Sequence, residues 1–276
     1  MPQESSGDHI EISNSQADRD LIAKQVNHYY YPSSGPVSGP ATGVVSAPPF
    51  AVVPRPELSD EAVDLLCGEQ QGVAALIGFT GAGGFGKTTL ATEVARDDRV
   101  TKRFPGGAWR VTLGEQAQGA ELAGKINDLA ARVSGTRVSY TDPEQAGQHL
   151  GEVLEGRECL LIVDDVWRAS QLEPFLFGAR SCRRLVTTRV REVLPTGTAL
   201  VTVDAMTDDQ AYKVLSEGLD SNGVDWEPLL ARTGRWPVLL TLANRAVHRY
   251  VRSGSPAPNA VRRVAERLAA KGDGAL

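Results

Sequence analysis

Gly81-Ala82-Gly83-Gly84-Phe85-Gly86-Lys87-Thr88-Thr89-Leu90 is the stretch of this sequence that decides the fold. An apolar run at residues 73–79 precedes it and is typical of a buried strand, and residues 90–96 follow it with a helical pattern. The string G-x-x-x-x-G-K-[ST], placed between a strand and a helix, is a phosphate-binding loop. The sequence therefore predicts a nucleotide-binding protein.

Each residue type in this loop has a physical reason to be there. Glycines let the backbone wrap closely round an anion with its N–H groups pointing inward, and the following helix adds its positive N-terminal end. We expect Lys87 to reach the β- and γ-phosphates and the Thr88 hydroxyl to hold Mg²⁺. The candidate nucleotide-binding residues of the loop are Gly81, Gly83, Gly84, Gly86, Lys87, Thr88 and Thr89.

Two adjacent carboxylates follow a second buried strand. The apolar run at residues 158–163 is typical of a strand buried on both faces of a parallel sheet, and Asp164 and Asp165 come directly after it. The carboxyl ends of such strands form the rim where ligands bind. We expect Asp164 to bind Mg²⁺ through water and Asp165 to orient or activate an attacking water. The alternative is that one of the two only caps the following turn.

An arginine ends a further apolar strand. Residues 184–188 precede Arg189, which should therefore lie on the same rim as the two carboxylates. A guanidinium there could contact a γ-phosphate and report its presence. The alternative is a surface arginine with no ligand.

Strands alternate with helical patterns beyond the loop. Predicted strands lie at residues 73–79, 108–112, 158–163, 184–188 and 200–203, and predicted helices include 117–133 and a segment that begins at Pro143. We expect Ser59 to cap the first helix, with Asp60 and Glu61 in its first turn. The alternation favours a doubly wound parallel α/β sheet of the P-loop NTPase type over residues 51–204.

The pattern becomes entirely helical after residue 204. Thr207 and Gln210 form a capping box, and helical patterns follow at residues 208–219, 226–232, 237–252 and 260–270. We expect residues 205–276 to form a small all-helical subdomain.

The first fifty residues differ in composition from both the predicted α/β domain and the predicted helical subdomain. Pro, Gly and Ser are frequent at 32–49, which indicates an extended and mobile tail, and a short helix is predicted at 17–26. The His-Tyr-Tyr-Tyr cluster at 28–31 has three interpretations: aromatic residues that dock the tail, an element that recognises a protein partner, or a platform for stacking bases.

Composition excludes several classes of protein. The 276 residues carry a net charge of −5, which argues against a nucleic-acid-binding surface. We find neither a signal-peptide core at the N-terminus nor an apolar run long enough to span a bilayer, so we expect a cytoplasmic protein with no membrane partner. Three scattered cysteines favour free thiols, with Cys159 and Cys182 buried.

The order of these motifs resembles the NB-ARC domain, the nucleotide switch of the signal-transduction (STAND) class of P-loop ATPases. The resemblance extends over about residues 54–251. It implies an ADP-held resting state, exchange for ATP, oligomerisation, and an adenine pocket closed by Pro237. The matching pieces are residues 81–90, 160–167, 184–189 and 234–240.

The sequence departs from this family at three places. Arg235 stands where the family has the glycine of Gly-Leu-Pro-Leu. Pro54-Arg55-Pro56 replaces the usual Gly-Arg-Glu, which leaves Val53 and Arg55 as the candidate adenine-edge contacts. The chain ends at Leu276, so we expect neither a winged-helix subdomain nor a repeat sensor.

The motifs together predict a molecular switch that binds ADP and ATP with Mg²⁺ and hydrolyses ATP slowly. A conventional P-loop ATPase or a small-molecule phosphotransferase is the alternative, and intact Lys87, Thr88, Asp164 and Asp165 argue against a module that binds no nucleotide. The expected partners are an adenine nucleotide, a protein effector recruited through the tail, and further copies of the chain in an ATP-dependent homo-oligomer.

Overall fold

The computed structural model describes Val45 and residues 52–68, 76–178 and 180–271. The expected short helix at 17–26 and aromatic cluster at 28–31 lie outside the described residues. Of the expected mobile tail the structure describes Val45, which is buried and whose carbonyl oxygen accepts a hydrogen bond from Arg96 Nη1 at 3.3 Å. The described residues fall into two compact units. The first contains Val45 and residues 52–68, 76–82, 86–178 and 180–204, and the second contains residues 83–85 and 205–271.

A five-stranded sheet is the centre of the first unit. Its strands are β1 (Leu76–Thr80), β2 (Ala108–Thr112), β3 (Leu160–Val166), β4 (Arg183–Thr188) and β5 (Ala199–Thr202). They lie in the order β2-β3-β4-β1-β5, and every pairing is parallel. All five residues of β1 are buried, as expected for a central strand of a parallel sheet. The predicted α/β fold class is confirmed.

Helices of the first unit connect these strands. They are α1 (Pro56–Cys67), α2 (Lys87–Arg96), α3 (Asp98–Arg103), α4 (Gly119–Ser134), α5 (Pro143–Leu154) and α6 (Ala169–Leu172). In α4 the buried side chains Leu122, Ile126, Leu129 and Val133 recur every three or four residues and pack in the core with Trp109 of β2. Asp142 caps α5 by accepting a hydrogen bond from the Gln145 N–H at 3.0 Å.

The predicted cap of the first helix is wrong. Ser59 lies inside α1, where its hydroxyl donates to the Pro56 carbonyl oxygen at 3.2 Å, so Asp60 and Glu61 do not form the first turn. The helix begins four residues earlier, at Pro56 with Arg55 as its N-cap, because Pro56 is already fixed in a helical φ and has no N–H to satisfy.

An arginine is buried at the start of β4. The side chain of Arg184 is only 1% exposed, and its guanidinium donates to the carbonyl oxygens of Phe175 (2.7 Å), Cys182 (3.1 Å), Phe177 (3.1 Å) and Gly178 (3.0 Å). These bonds satisfy the backbone of the segment that leads into the strand. Cys159 and Cys182 nearby are buried free thiols, as predicted.

The second unit is helical. Its helices are α7 (Asp208–Ser216), α8 (Glu227–Thr233), α9 (Pro237–Arg252) and α10 (Ala257–Lys271). The predicted capping box is present, because Thr207 Oγ1 accepts from the Gln210 N–H and Gln210 Oε1 accepts from the Thr207 N–H. In the described part of the chain, no helix is both long and apolar enough to cross a membrane.

Candidate functional site

The glycine-rich loop joins β1 to α2, and three of its glycines, Gly81, Gly84 and Gly86, have a backbone φ that favours glycine. Gly81 has φ 143°, and a Cβ there would collide with the carbonyl oxygen of Val203. Gly86 has φ 88° and forms the left-handed N-cap of α2. The loop therefore turns directly into a helix N-terminus, the arrangement that exposes unpaired backbone N–H groups to an anion.

Lys87 opens α2 and turns back across the loop. Its Nζ donates to the carbonyl oxygens of Gly81 at 2.6 Å and Ala82 at 2.7 Å. The residue is buried, so its positive charge lies inside the curve of the loop. Thr88 and Thr89 follow in the first turn of the same helix.

Asp164 lies near the carboxyl end of β3 and is held by three threonine hydroxyls. Thr88 Oγ1 donates to Asp164 Oδ1 at 2.7 Å, and Thr187 Oγ1 donates to the same oxygen at 2.7 Å. Thr112 Oγ1 donates to Oδ2 at 3.2 Å. The aspartate is only 2% exposed, so these donors replace the water that an ionised carboxylate needs. The structure thus brings together the two residues that the sequence predicted as magnesium ligands.

The oxygen atoms of this cluster suit a hard divalent cation. Mg²⁺ is usually bound by one or two protein oxygens, with phosphate oxygens and water completing its octahedron. Thr88 and Asp164 supply one hydroxyl and one carboxylate that already touch. Among the described residues, no group of three or more His, Cys, Asp or Glu side chains could hold a metal ion without such additional ligands.

Asp165 and Arg189 lie close to each other at the same rim. Arg189 Nε is 3.9 Å from Asp165 Oδ1, and the Arg189 guanidinium carbon is 4.8 Å from the centre of the Trp167 ring. The Arg189 side chain is 9% exposed, so the cation–π contact is largely screened from water.

The electrostatics of Asp165 follow from this position. Burial raises the pKa of the Asp165 carboxyl, and the negative charge of Asp164 acts in the same direction. Arg189 and Lys87 act in the opposite direction. The carboxyl therefore lies within electrostatic range of the loop lysine, the neighbouring aspartate and the arginine, and its proton affinity is higher than that of an exposed aspartate.

Motif reasoning missed three residues of this cluster. Thr112 and Thr187 lie near the carboxyl ends of β2 and β4, the two strands that flank β3. Trp167 follows β3 directly. The strand order could have identified the two threonines, because the carboxyl ends of neighbouring parallel strands meet at one edge.

Arg55 contacts the backbone just after β5, the last strand in the sequence. Its guanidinium donates to the Asp204 carbonyl oxygen at 2.7 Å, and burial lowers its pKa. Val53, two residues earlier, is partly buried in the segment that leads into α1. This hydrogen bond holds the segment against Asp204, the second residue after β5.

The NB-ARC domain family matches residues 57–223, more than half of the chain. The chain belongs to the NB-ARC family. This NB-ARC chain is 35% identical over 181 residues to the regulatory protein AfsR of Streptomyces griseus, with 62% of this chain and 18% of that protein covered. It is 32% identical over 147 residues to the putative disease resistance protein RGA4 of Solanum bulbocastanum, with 50% of this chain and 14% of that protein covered.

The chain spans less than a fifth of the length of these NB-ARC relatives. A solved structure of the Drosophila origin recognition complex bound to DNA has the same fold, with a TM-score of 0.55 and 14% identity. That likeness covers 96% of the NB-ARC chain and 69% of the other chain.

The segment that departs from the NB-ARC pattern lies in the second unit. Arg235 has φ 56°, in the left-handed region that favours glycine, and Arg235 Nη1 lies 3.1 Å from an Asp208 carboxylate oxygen. Pro237 is the first residue of α9. In the same unit, which includes loop residues 83–85, Trp236 Nε1 donates to the Gly83 carbonyl oxygen at 2.9 Å.

Proposed function

We propose that this NB-ARC chain is a molecular switch that binds ADP and ATP together with Mg²⁺ and resets by slow ATP hydrolysis. One observation carries the proposal: the Thr88 hydroxyl and the Asp164 carboxylate meet at 2.7 Å beside a glycine loop whose lysine points inward. A nucleotide phosphate bound to the loop would contact the lysine, and a metal ion would bind to the hydroxyl and carboxylate oxygens. The relatives support nucleotide binding in general, since they share the family.

Lys87 and the first turn of α2 would hold the β- and γ-phosphates. The ammonium now donates to two loop carbonyls, so a phosphate would compete with the Gly81 and Ala82 oxygens for those protons. Phosphate oxygens carry full negative charge and are the stronger acceptors. Thr88 and Asp164 would bind Mg²⁺, which when bound neutralises charge on the phosphates.

Asp165 and Arg189 would have different roles at the γ-phosphate. Asp165 has a raised pKa, and a carboxylate of higher proton affinity is a better acceptor for a proton of the attacking water. Arg189 would exchange its contacts with Asp165 and Trp167 for a γ-phosphate oxygen and so distinguish ATP from ADP. The nucleotide state would then set the arrangement of the α/β and helical parts of the chain.

The remaining roles follow the resemblance to the family. We propose Val53, Arg55 and Pro237 as adenine contacts, with Arg55 acting through the segment that its bond to Asp204 fixes. We also propose a cytoplasmic protein that assembles with further copies on ATP exchange and recruits a protein effector. Light scattering of the protein with ADP and with a non-hydrolysable ATP analogue tests the assembly: a mass that increases only with the analogue supports it, and equal masses contradict it.

The proposal is tested by titrating fluorescent ADP and ATP analogues against the wild type and Lys87→Ala. We expect the variant to lose measurable binding because the charge inside the loop is removed. Lys102→Ala, a change at an exposed lysine in the last turn of α3, is the matched control and should bind as the wild type does. Equal affinity of Lys87→Ala and the wild type would contradict a phosphate site at this loop.

A further inference from the structure

The strand that carries the two carboxylates contains a bulge. Val163 of β3 pairs with Val186 of β4, but the next pairing joins Val166 to Thr188. Asp164 and Asp165 therefore both lie opposite the single residue Thr187. Bulges of this kind occur next to active sites, where they redirect side chains, and they leave one backbone group of the bulged strand without its partner in the ladder.

The Thr187 side chain replaces that missing partner. Asp165 donates its backbone N–H to Thr187 Oγ1 at 2.9 Å, and Thr187 Oγ1 lies 2.7 Å from Asp164 Oδ1. An N–H can only donate, so the hydroxyl must accept from Asp165. Its one proton is then available for the Asp164 carboxylate. Thr187 is only 1% exposed, and both bonds are protected from water.

These two bonds set the geometry of both aspartates. In a regular strand, successive side chains point to opposite faces of the sheet. Here Asp165 has φ 57°, in the left-handed region, and its carboxyl lies within electrostatic range of Asp164, Arg189 and Lys87. The backbone N–H of Asp165 and the carboxylate of Asp164 are held by the same oxygen atom, so neither the backbone of Asp165 nor the carboxylate of Asp164 can turn without breaking a bond to Thr187.

We propose that Thr187 is the positioning residue of the catalytic rim, which aims Asp164 at the metal and Asp165 at the attacking water. The inference rests on the proposed function, because it assigns a role toward Mg²⁺ and nucleotide. It adds a residue that makes no contact with either. Its hydroxyl acts only through the carboxylate of Asp164 and the backbone N–H of Asp165.

The other hydroxyls near Asp164 differ from Thr187. Thr88 is the proposed metal ligand, and its hydroxyl would turn toward Mg²⁺. Thr112 is exposed and donates to the second oxygen of Asp164 over the longer distance of 3.2 Å. Thr187 is thus the donor that would stay on Asp164 Oδ1 when Mg²⁺ is bound.

The neighbouring threonine provides a matched control. Thr188 is as buried as Thr187 and also lies in β4, but its hydroxyl donates to the Val166 carbonyl oxygen at 2.6 Å and accepts from the Val190 N–H at 3.0 Å. Thr188→Val therefore removes a buried hydroxyl of the same strand without changing the support of Asp164.

The experiment compares Thr187→Val, Thr187→Ser and Thr188→Val with the wild type. Fluorescent ADP is titrated in Mg²⁺ and again in EDTA, and Mn²⁺ bound in the presence of ADP is counted by electron paramagnetic resonance. We expect Thr187→Val to lose about 10- to 100-fold in metal affinity, the usual cost of removing a group that orients a metal ligand. Its affinity for ADP in EDTA should equal that of the wild type, and Thr187→Ser should restore metal binding because it keeps the hydroxyl.

The outcomes separate the inference from the proposed function. If Thr187→Val binds Mn²⁺ and Mg²⁺–ADP as the wild type does, the positioning role is overturned. A second result would also overturn the inference. If Thr187→Val and Thr188→Val weaken ADP binding equally, and each by the same factor in EDTA as in Mg²⁺, the Thr187 hydroxyl serves packing alone. A wild-type protein that binds no ADP, or binds it equally in Mg²⁺ and EDTA, would instead contradict the proposed function.

Discussion

Replacing Asp165 by asparagine and by alanine separates the backbone conformation of this residue from its chemistry. Asp165 has φ 57°, a left-handed conformation that Asn and Asp adopt far more readily than other residues with a Cβ. Asp165→Ala should cost about 1–2 kcal/mol of stability for this conformation. Asp165→Asn should lose only the partly exposed pairing with Arg189, which is worth at most about 1 kcal/mol.

These costs are measurable as unfolding temperatures. For a domain of 150–250 residues, 1 kcal/mol corresponds to about 2–4 °C, so Asp165→Ala should unfold about 2–8 °C below the wild type. Circular dichroism without nucleotide gives both values. An Asp165→Ala variant as stable as Asp165→Asn would refute the conformational argument.

The chemical part of the prediction concerns hydrolysis. Both variants lack a carboxylate to accept a proton, so phosphate release from ATP should slow by about 10²–10⁴-fold while ADP affinity stays unchanged. The raised pKa of Asp165 also fixes the sign of the pH dependence: the wild-type rate should fall as the pH drops through a pKa above the ordinary value of 3.8. Asp165→Asn should lose this acidic limb. An Asp165→Asn variant that hydrolyses ATP at the wild-type rate, or that no longer binds ADP, would show that the role of Asp165 is misassigned.

Two further substitutions test other parts of the account. Asp164→Asn keeps one oxygen to accept from the Thr88 and Thr187 hydroxyls, so urea unfolding should show a loss of no more than about 2 kcal/mol. Metal-dependent tightening of ADP binding should nevertheless disappear, and a Mg²⁺ effect of wild-type size would contradict a metal ligand at this position. Arg235→Gly should raise stability by about 1 kcal/mol, because Arg235 has φ 56° and its partner Asp208 is exposed. A lower unfolding temperature for Arg235→Gly would show that the contacts of the arginine outweigh its backbone cost.

The sheet and the loop could be predicted because local patterns specify them. Continuous apolar runs identify strands buried on both faces, and the glycine loop fixes the point where β1 leads into α2. The carboxyl ends of parallel strands lie on one rim, so the sequence also brought Thr88, Asp164, Asp165 and Arg189 into the same cluster. Their contacts in the structure agree with that expectation, and their chemical roles stay predictions.

The bulge in β3 could not be predicted, because it depends on pairing between strands far apart in sequence. The local pattern places Asp164 and Asp165 as two residues after a strand, yet β3 continues to Val166 and includes both. Only the register with β4 shows that Thr187 lies opposite both aspartates. The burial of Arg184 has the same origin, since the carbonyl groups that it satisfies become buried only when the chain has folded.

The start of α1 and the presence of α3 were not predicted correctly from the sequence. Ser59 is a good capping residue followed by acidic side chains, but Pro56 competes with it and begins α1 earlier. The short helix α3 was not predicted, because six residues provide less than two full turns of pattern. Asp97 caps α3 by accepting a hydrogen bond from the Arg99 N–H at 2.8 Å, and this contact ends α2 and starts the next helix.

The nucleotide carried by the freshly purified protein tests the central claim most directly. Denaturing a known amount of protein and separating the released nucleotides by chromatography gives their identity and stoichiometry. A switch that rests in its ADP state predicts close to one ADP per chain. Protein that releases no nucleotide, and that turns over added ATP rapidly, would contradict the switch and favour a conventional ATPase.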